Sequence, residues 1–187
     1  MNKMEAIGAL MERVTDDTLV VCCNGMIGRE LFTAKNRPSN FYMIGSMGLG
    51  LSIGLGLALA QPKKKVVVLD GDGNVLMGMN VLASVASEQP ANLWHVVLDN
   101  QTHASTGGQR TISGQVKLEE IARAAGYRSV ARAEDTSAFA AALDRAFAEP
   151  GPSMVLGTVE GGTLKGIARV EPSPPELAAM FAHEARR

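Results

Sequence analysis

The sequence predicts an α/β fold, a doubly wound and mostly parallel sheet with helices on both faces. Three observations support this. Apolar runs of strand length alternate with segments of helical periodicity along the 187 residues. Several runs are continuously apolar, as in strands that are buried on both faces. The connections are short, about 2–6 residues, which is typical of α/β units. No repeat or low-complexity linker divides the chain, so we expect a single domain over residues 1–187.

Strands are expected where apolar and β-branched residues run together, at 18–23, 41–44, 66–69, 93–98, 128–131 and 153–159. Helices are expected where apolar residues recur at three- and four-residue spacing, at 2–14, 29–34, 49–60, 74–87, 118–125, 136–148 and 174–186. Gly126 is a C-cap candidate, and Asp135 or Thr136 is an N-cap candidate. Residues 101–113 are polar without periodicity, so we expect a functional or disordered loop.

Bulk composition excludes several classes of protein. A net charge of −1 and an aromatic content of 4% give no basis for binding nucleic acid or a membrane surface. Residues 41–60 are uncharged and long enough to cross a bilayer, but their five glycines favour a turn and a buried helix. Cys22 and Cys23 are adjacent and are not expected to pair. No signal peptide is recognisable, so we expect a cytoplasmic protein.

Two of the predicted strands end in oxygen-bearing side chains. The run VVVLDGDG brings Asp72 to the end of one strand, and VVLDN brings Asn100 to the end of the next. The 26 residues between Gly73 and Asn100 suffice for one helix and one strand. Because ligands bind at the carboxyl ends of strands in open α/β sheets, we expect both side chains at one site.

Other interpretations of LDGDGN fit less well. An EF-hand calcium loop needs Gly and Glu where this chain has Val75 and Val81. A dinucleotide-binding fingerprint needs a third glycine where Leu76 stands. The local pattern does resemble the first motif of haloacid-dehalogenase-type phosphatases. In that alternative, Asp70 is the nucleophile and Asp72 the acid/base, but the later motifs have no convincing counterpart.

A diphosphate–Mg²⁺ site fits this pattern best. Mg²⁺ prefers octahedral oxygen coordination and needs few protein carboxylates when phosphate oxygens complete its shell. Asp72 and Asn100 supply two such oxygens. Gly71 and Gly73 allow the backbone to approach a phosphate closely. A helix that starts at Asn74 would offer its first amides to the anion.

These motifs resemble those of the thiamine-diphosphate-dependent 2-oxo acid decarboxylases. That family has GDG, then roughly two dozen residues, then a pair of asparagines. Residues 71–73 match fully, whereas Asp99 departs from the first asparagine and Asn100 keeps the second. The resemblance implies thiamine diphosphate as the cofactor. It also implies that Mg²⁺ is held by Asp72, Asn100 and the main-chain carbonyl of Thr102.

The resemblance extends upstream. Residues 40–60, NFYMIGSMGLGLSIGLGLALA, are similar to the segment that holds the aminopyrimidine of the cofactor. It implies that the carbonyl of Gly45 accepts a hydrogen bond from the amino group, with Ser46 beside it. Met47 would be the bulky residue that bends the cofactor. Asn24 and Gly25 correspond to a turn that contacts the diphosphate.

The resemblance covers only the diphosphate-binding domain of that family, over about residues 18–159. It implies that a pyrimidine-binding α subunit supplies the activating glutamate, and that the enzyme is an obligate hetero-oligomer acting on a small 2-oxo acid. FYMIGSMG, LDGDG and STGGQ resemble segments of the sulfopyruvate and phosphonopyruvate decarboxylases. We therefore expect the β subunit of an enzyme that converts sulfopyruvate to sulfoacetaldehyde and CO₂.

Several alternatives remain open at this point. They are a phosphonopyruvate decarboxylase, an acetolactate-synthase-like carboligase, the phosphatase, and a regulatory protein that binds the cofactor without turnover. His103 lies just beyond the metal-binding motif and is a candidate proton relay, since imidazole titrates near neutrality. Arg29 and Arg110 are candidates for binding a sulfonate or phosphonate.

Overall fold

A computed structural model describes residues 1–162 and 166–187. Its strands are β1 (Thr18–Cys22), β2 (Asn40–Tyr42), β3 (Lys65–Gly71), β4 (Leu93–Asp99), β5 (Thr102–His103), β6 (Gln109–Arg110), β7 (Ser129–Ala133) and β8 (Ser153–Thr158). Its helices are α1 (Lys3–Met11), α2 (Met26–Lys35), α3 (Gly50–Ala60), α4 (Asp72–Met77), α5 (Asn80–Glu88), α6 (Leu118–Ala125), α7 (Thr136–Ala148) and α8 (Pro174–Arg186).

Six strands form one sheet in the order β2-β1-β3-β4-β8-β7, and every neighbouring pair is parallel. The predicted α/β fold with a parallel sheet is therefore confirmed. β5 and β6 form a separate antiparallel hairpin. The chain passes from β1 to β2 on one side and resumes with β3 on the other side of β1. Open sheets bind ligands at the carboxyl end of such a switch point.

The sheet separates two apolar cores. One face packs against α1, α2 and α7, around Ile7, Leu31 and Phe139. The other face packs against α3, α5 and α6, around Leu51 and Leu82. Helix α8 lies beside β2 and contributes side chains to both cores. Because both faces are covered, the central strands β3 and β4 are buried and mostly apolar, as the sequence indicates, with Asp70, His95 and Asp99 as buried polar exceptions.

Two predicted helices have the bounds that their caps suggest. Helix α6 ends at Gly126, whose φ of 113° is left-handed. Helix α7 begins after Asp135, whose carboxylate accepts a hydrogen bond of 2.8 Å from the amide of Ala138. Local sequence is sufficient at these helix ends because the capping residue itself makes the terminal hydrogen bond.

Three predicted segments are corrected. The single helix expected over 74–87 is wrong, because α4 and α5 are separated at Gly78, where the backbone meets that of Gly48. The first residues of α2 were expected in a turn, but the helix begins at Met26. The loop expected over 101–113 contains the β5–β6 hairpin, and the short 3₁₀ turn Ile112–Gly114 begins within it.

The uncharged segment 41–60 contributes β2 in part and α3, which has eleven residues. Within residues 1–162 and 166–187, no helix has the length and apolar character needed to cross a membrane. Helix α3 instead lies directly on β3 and β1. Its approach is close at Gly54, where a methyl group would overlap the side chain of Val68.

Gly54→Ala is expected to destabilise the protein, whereas Gly56→Ala, two residues further along α3, is expected to stabilise it. Overpacking against Val68 costs about 1–3 kcal/mol. At Gly56 no atom lies within 4 Å of an added Cβ, so alanine gains about 0.5–1 kcal/mol of helix preference. Urea denaturation of both variants measures the difference. Equal stability of the two variants would contradict the close contact at Gly54.

Candidate active site

The carboxyl ends of three adjacent strands, β1, β3 and β4, form a cleft at the switch point of the sheet. Its lining comes from segments 24–27, 71–74 and 102–105, together with Lys3, Met47 and Asn100. These include the predicted site residues Asn24, Gly25, Met47, Gly71, Asp72, Gly73, Asn74, Asn100, Thr102 and His103. Gly45 and Ser46 do not line this cleft and are exposed to solvent near it.

Asp72 lies at the first residue of α4 and is only 3% exposed. Its Oδ2 accepts a hydrogen bond from the Thr111 hydroxyl and lies 3.1 Å from the Ser113 hydroxyl. Burial raises the pKa of Asp72 above its ordinary value; the Thr111 hydroxyl opposes this shift, and the charge of Asp99 adds to it. The native fold therefore holds a carboxylate where its charge is unfavourable without a compensating cation.

Asn100 and Asp99 leave β4 with different surroundings. Asn100 lines the cleft, and its Oδ1 accepts a hydrogen bond of 3.2 Å from the amide of Thr102. Asp99 is 1% exposed, and its Oδ1 accepts from the Ser113 hydroxyl at 2.8 Å and from the amide of Gln101 at 3.1 Å. The residue that departs from the family pattern thus holds the loop in place and does not line the cleft.

Two contacts position the loop that precedes α3. The side-chain oxygen of Asn74 accepts a hydrogen bond of 3.0 Å from the amide of Gly48, so Asn74 anchors this loop. Met47 reaches Gly73, where an added Cβ would lie 2.8 Å from Met47 Cε and 2.8 Å from His103 Cε1. Any larger residue here would require the ends of the Met47 and His103 side chains to shift. The cleft floor is therefore a surface of bare backbone between Met47 and His103.

The first turn of α2 also faces the cleft. Gly25 precedes the helix without a side-chain cap, and Met26 and Ile27 line the cleft. The first amides of an uncapped helix have no intrahelical partner and can donate to an anion. Asn24 contributes a buried side-chain oxygen without a hydrogen-bond partner among the described residues. The sequence pattern predicts a helix from residue 29, three residues after its true start, so these amides were not expected at the site.

A buried ion pair lies beside the cleft and was not anticipated. Lys3 Nζ and Glu30 Oε1 are 2.8 Å apart, and the side chains are 6% and 1% exposed. Burial raises the pKa of Glu30, and the neighbouring Lys3 ammonium opposes that shift. The helical spacing of α1 and α2 would have assigned both residues to buried faces, which is unusual for charged side chains. The conflict between a buried helical position and a charged side chain was the sequence signal that could have identified this pair.

Lys3→Met is expected to lower the free energy of unfolding by about 3–5 kcal/mol near neutral pH, because it leaves the Glu30 carboxylate buried alone. The pKa of Glu30 would then rise further above its value in the unfolded chain. The native state would bind a proton that the unfolded state does not, so the loss should shrink as the pH falls. Denaturation near neutral and mildly acidic pH measures this. The control is Lys3→Met with Glu30→Leu, which should recover most of the loss.

Asp70, the nucleophile of the phosphatase alternative, lies away from the cleft. Its carboxylate is 2% exposed and lies 3.3 Å from Nε2 of the buried His95. Asp70 Oδ1 also accepts from the amide of Gly71 at 3.1 Å. A buried nucleophile beneath α3 has no path to a substrate phosphate. The geometry therefore disfavours phosphoryl transfer at Asp70.

The donor set of the cleft is suited to a hard cation together with an anion. Within residues 1–162 and 166–187, no three His, Cys, Asp or Glu side chains are grouped as a metal site. A cation at Asp72 would therefore need amide and carbonyl oxygens and oxygens from its ligand. The bare backbone at Gly73 and the free amides of α2 fit a diphosphate beside that cation. The unpartnered Oδ1 of Asn24 can only accept, so it suits a hydrogen-bond donor or a cation and not the diphosphate itself.

Comparison with curated proteins shows relatives over most of the chain. A phosphonopyruvate decarboxylase of Streptomyces viridochromogenes is 42% identical over 179 residues, covering 96% of this chain and 45% of the relative. A sulfopyruvate decarboxylase subunit beta of Methanothermobacter thermautotrophicus is 37% identical over 189 residues, covering 100% of this chain and 96% of the relative. The chain thus spans about half the length of the phosphonopyruvate decarboxylases it matches.

Solved structures share the fold. A thiamin diphosphate-dependent enzyme of Mycobacterium smegmatis, described as putative, superposes with a TM-score of 0.73 at 23% identity. The match covers 87% of this chain and 32% of that one. Benzoylformate decarboxylase of Polynucleobacter necessarius gives a TM-score of 0.71 at 17% identity, covering 85% and 33%. The family model described as thiamine pyrophosphate enzyme, C-terminal TPP binding domain, matches residues 20–156. The chain therefore belongs to the thiamine pyrophosphate enzyme family, within which its relatives are decarboxylases.

Proposed function

We propose that this chain is the diphosphate-binding subunit of a thiamine-diphosphate-dependent 2-oxo acid decarboxylase. The observation that carries the proposal is the cleft at the ends of β1, β3 and β4, where Asp72 and Asn100 converge beside free backbone amides. Bound thiamine diphosphate would supply the nucleophilic carbon and the electron sink that decarboxylation of a 2-oxo acid requires. The protein would bind and orient it and exclude water.

Individual residues have distinct proposed roles. Asp72, Asn100 and the carbonyl of Thr102 would hold Mg²⁺, and the amides of the first turn of α2 would bind diphosphate oxygens. Met47 would pack against the cofactor, and Gly45 would bind its amino group through the carbonyl. His103 lines the cleft beside Gly73, which supports a role in proton transfer near the substrate.

The partner is proposed to be a pyrimidine-binding α subunit that supplies the activating glutamate. Two comparisons support this. The relatives of about twice this length are named as whole decarboxylases, and the relative of matching length is named as a beta subunit. A site divided between two chains would make the hetero-oligomer obligatory.

The proposed substrate is sulfopyruvate, with phosphonopyruvate as the alternative. Both carry a strong anion opposite the 2-oxo acid, which requires a cationic partner. A groove of about 470 Å³ adjoins the cleft through Asn24, Gly25 and Ser105, and it contains Arg29 and Arg169. Neither arginine forms an ion pair or hydrogen bond with another described residue, although Glu171 also lines the groove. Arg110 lines neither cavity and is exposed.

The decisive experiment combines the chain with its partner subunit, thiamine diphosphate and Mg²⁺, and tests a panel of 2-oxo acids. We expect CO₂ and sulfoacetaldehyde from sulfopyruvate, and negligible turnover by this chain alone. Full turnover by the chain alone would contradict the partner requirement. A carboligation product would favour the acetolactate-synthase-like alternative, and cofactor binding without turnover would favour a regulatory protein.

Arg29→Gln and Arg169→Gln are expected to raise KM for sulfopyruvate about tenfold or more, because a hydrogen bond to a charged group contributes roughly 1.5–3 kcal/mol. KM for pyruvate, which lacks the terminal anion, should change little. Arg110→Gln is the matched control and should behave as the wild type. If Arg110→Gln alone raises KM for sulfopyruvate, the groove is not the anion site.

A further inference from the structure

Two hydroxyl groups from the far end of loop 101–113 reach the proposed cation site. Thr111 Oγ1 donates to Asp72 Oδ2, and the Ser113 hydroxyl lies 3.1 Å from the same oxygen. Ser113 Oγ is also 2.8 Å from Asp99 Oδ1, and the two hydroxyls are 2.9 Å apart. We call Thr111 and Ser113 the hydroxyl bridge.

The hydroxyl bridge can donate one hydrogen bond to each of its two carboxylates, Asp72 and Asp99. Each hydroxyl has one proton to donate. Thr111 donates to Asp72, and the shorter contact of Ser113 assigns its proton to Asp99. The carboxylates are 3% and 1% exposed, so water can do little to separate their charges. The bridge therefore holds two like charges side by side in a fixed arrangement.

The orientation of Asp72 follows from these contacts. The Thr111 hydroxyl donates to Oδ2, the Ser113 oxygen also lies on that side, and Oδ1 has no side-chain partner among the described residues. Groups that bind one oxygen of a metal-ligating carboxylate orient the other toward the metal. Asp99 adds a second negative charge close by without entering the cleft.

The same residues clamp both ends of the loop. The amide of Gln101 donates to Asp99 at 3.1 Å, and the amide of Thr111 donates to the carbonyl of Gln101 at 2.9 Å. The β5–β6 hairpin, which brings His103 to the cleft floor, lies between these two points. Its base is thus fixed to the two carboxylates beside the cation site.

We propose that the hydroxyl bridge is a positioning device that aims Asp72 Oδ1 at a divalent cation and couples cation binding to the order of loop 101–113. Asp99, where the family pattern has asparagine, strengthens cation binding through its charge. This inference rests on the proposed cation role of Asp72. A cation held by Asp72 would offset the like charges of Asp72 and Asp99 that the bridge otherwise restrains, so the cation-loaded site should hold the loop more firmly.

The test uses Mn²⁺ as the probe and the full chain with thiamine diphosphate, alone and with the partner subunit. Calorimetry measures cation affinity, and amide hydrogen exchange measures the order of loop 101–113. Thr111→Val removes the hydroxyl at equal volume and is expected to weaken Mn²⁺ binding about 10- to 100-fold, the usual cost of losing a group that orients a ligand. Thr111→Ser keeps the hydroxyl and should restore most of the affinity.

Two further variants make the test specific. Thr106→Val lies in the same loop. Among the described residues the Thr106 hydroxyl hydrogen-bonds His103 and Gln109 and no metal-site carboxylate, so this variant should leave Mn²⁺ affinity unchanged. Asp99→Asn keeps the size of the side chain and removes its charge, so it should weaken Mn²⁺ binding in a folded protein. Mn²⁺ should slow amide exchange in the loop of the wild type and have less effect in Thr111→Val.

The outcomes separate this inference from the proposed function. Wild-type affinity and loop protection in both Thr111→Val and Asp99→Asn would overturn the hydroxyl bridge while leaving the cation site intact. A wild-type chain that binds no Mn²⁺ in either preparation would overturn the cation site, and the inference with it. An equal loss in Thr106→Val would indicate general damage to the loop and would also overturn the specific role of the bridge.

Discussion

Asp72→Asn is expected to abolish divalent-cation binding and to reduce decarboxylation by more than about 100-fold. Loss of a group that only orients a metal ligand already lowers metal affinity or activity about 10- to 100-fold, and Asp72 is proposed as a ligand itself. The stability of the variant should equal or exceed that of the wild type. Asparagine removes a buried negative charge, and the pKa of the Asp72 carboxyl is already raised by burial and by the charge of Asp99. Calorimetric titration with Mn²⁺, thermal unfolding and a decarboxylase assay with the partner subunit measure the three effects.

Asp70→Asn is the matched control, since both aspartates are buried and lie two residues apart. It should lose about 1–3 kcal/mol of stability through the weakened contact with His95, and it should keep cation binding. The Asp70 variant is therefore expected to lose stability and keep cation binding, whereas the Asp72 variant is expected to keep stability and lose cation binding. The phosphatase alternative would be favoured by two results together. The wild type would show phosphatase activity that Asp70→Asn loses, and Asp72→Asn would leave cation binding unaffected.

Gly78→Ala is expected to damage both the fold and the site. A methyl group at Gly78 would overlap the carbonyl oxygen of Gly48, and backbone atoms cannot move aside as a flexible side chain can. Displacing Gly48 would break its hydrogen bond to Asn74 and shift the loop that contains Gly45 and Met47. We expect a loss of about 1–3 kcal/mol in stability and a larger proportional loss in affinity for thiamine diphosphate.

The control for Gly78→Ala is Gly8→Ala in α1, where no atom lies within 4 Å of an added Cβ. That change should stabilise the protein by about 0.5–1 kcal/mol without affecting the cofactor. Urea denaturation and a fluorescence titration with thiamine diphosphate and Mg²⁺ measure both variants. If Gly78→Ala lost stability but retained normal cofactor affinity, the loop at 45–48 would not depend on the contact between Gly48 and Gly78.

Some helix boundaries could be predicted from the sequence, and others could not. The bounds of α6 and α7 follow from Gly126 and Asp135, because each residue makes the hydrogen bonds that end or begin its own helix. The break between α4 and α5 could not be predicted in this way. Residues 74–87 have helical spacing throughout, and the interruption at Gly78 reflects a contact with Gly48, thirty residues earlier in the chain.

The candidate site was predictable to the extent that it lies at strand ends. The convergence of Asp72 and Asn100 follows from two apolar strands that each end in a polar residue, and from the parallel order of the sheet. The Lys3–Glu30 pair was marked only by charged residues at buried helical positions, and its partners could not be matched from the sequence. The hydroxyl bridge was not predictable, because Thr111 and Ser113 are remote in sequence from the carboxylates they contact and nothing in their own neighbourhoods marks them.

By itself the sequence determined the fold class, the family resemblance and the strand ends at which a cation and a diphosphate would bind. These properties are carried by local patterns, namely continuous apolar runs and a short motif, that need no knowledge of distant contacts. Only the tertiary structure decided which of two neighbouring aspartates reaches the cleft. Asp70 is buried beside His95, whereas Asp72 faces Thr111 and Ser113. Side chains two residues apart on a strand share a face, so a continued strand would have placed both aspartates on one side of the sheet. β3 ends at Gly71 instead, and the change into α4 turns Asp72 toward the loop that closes over it.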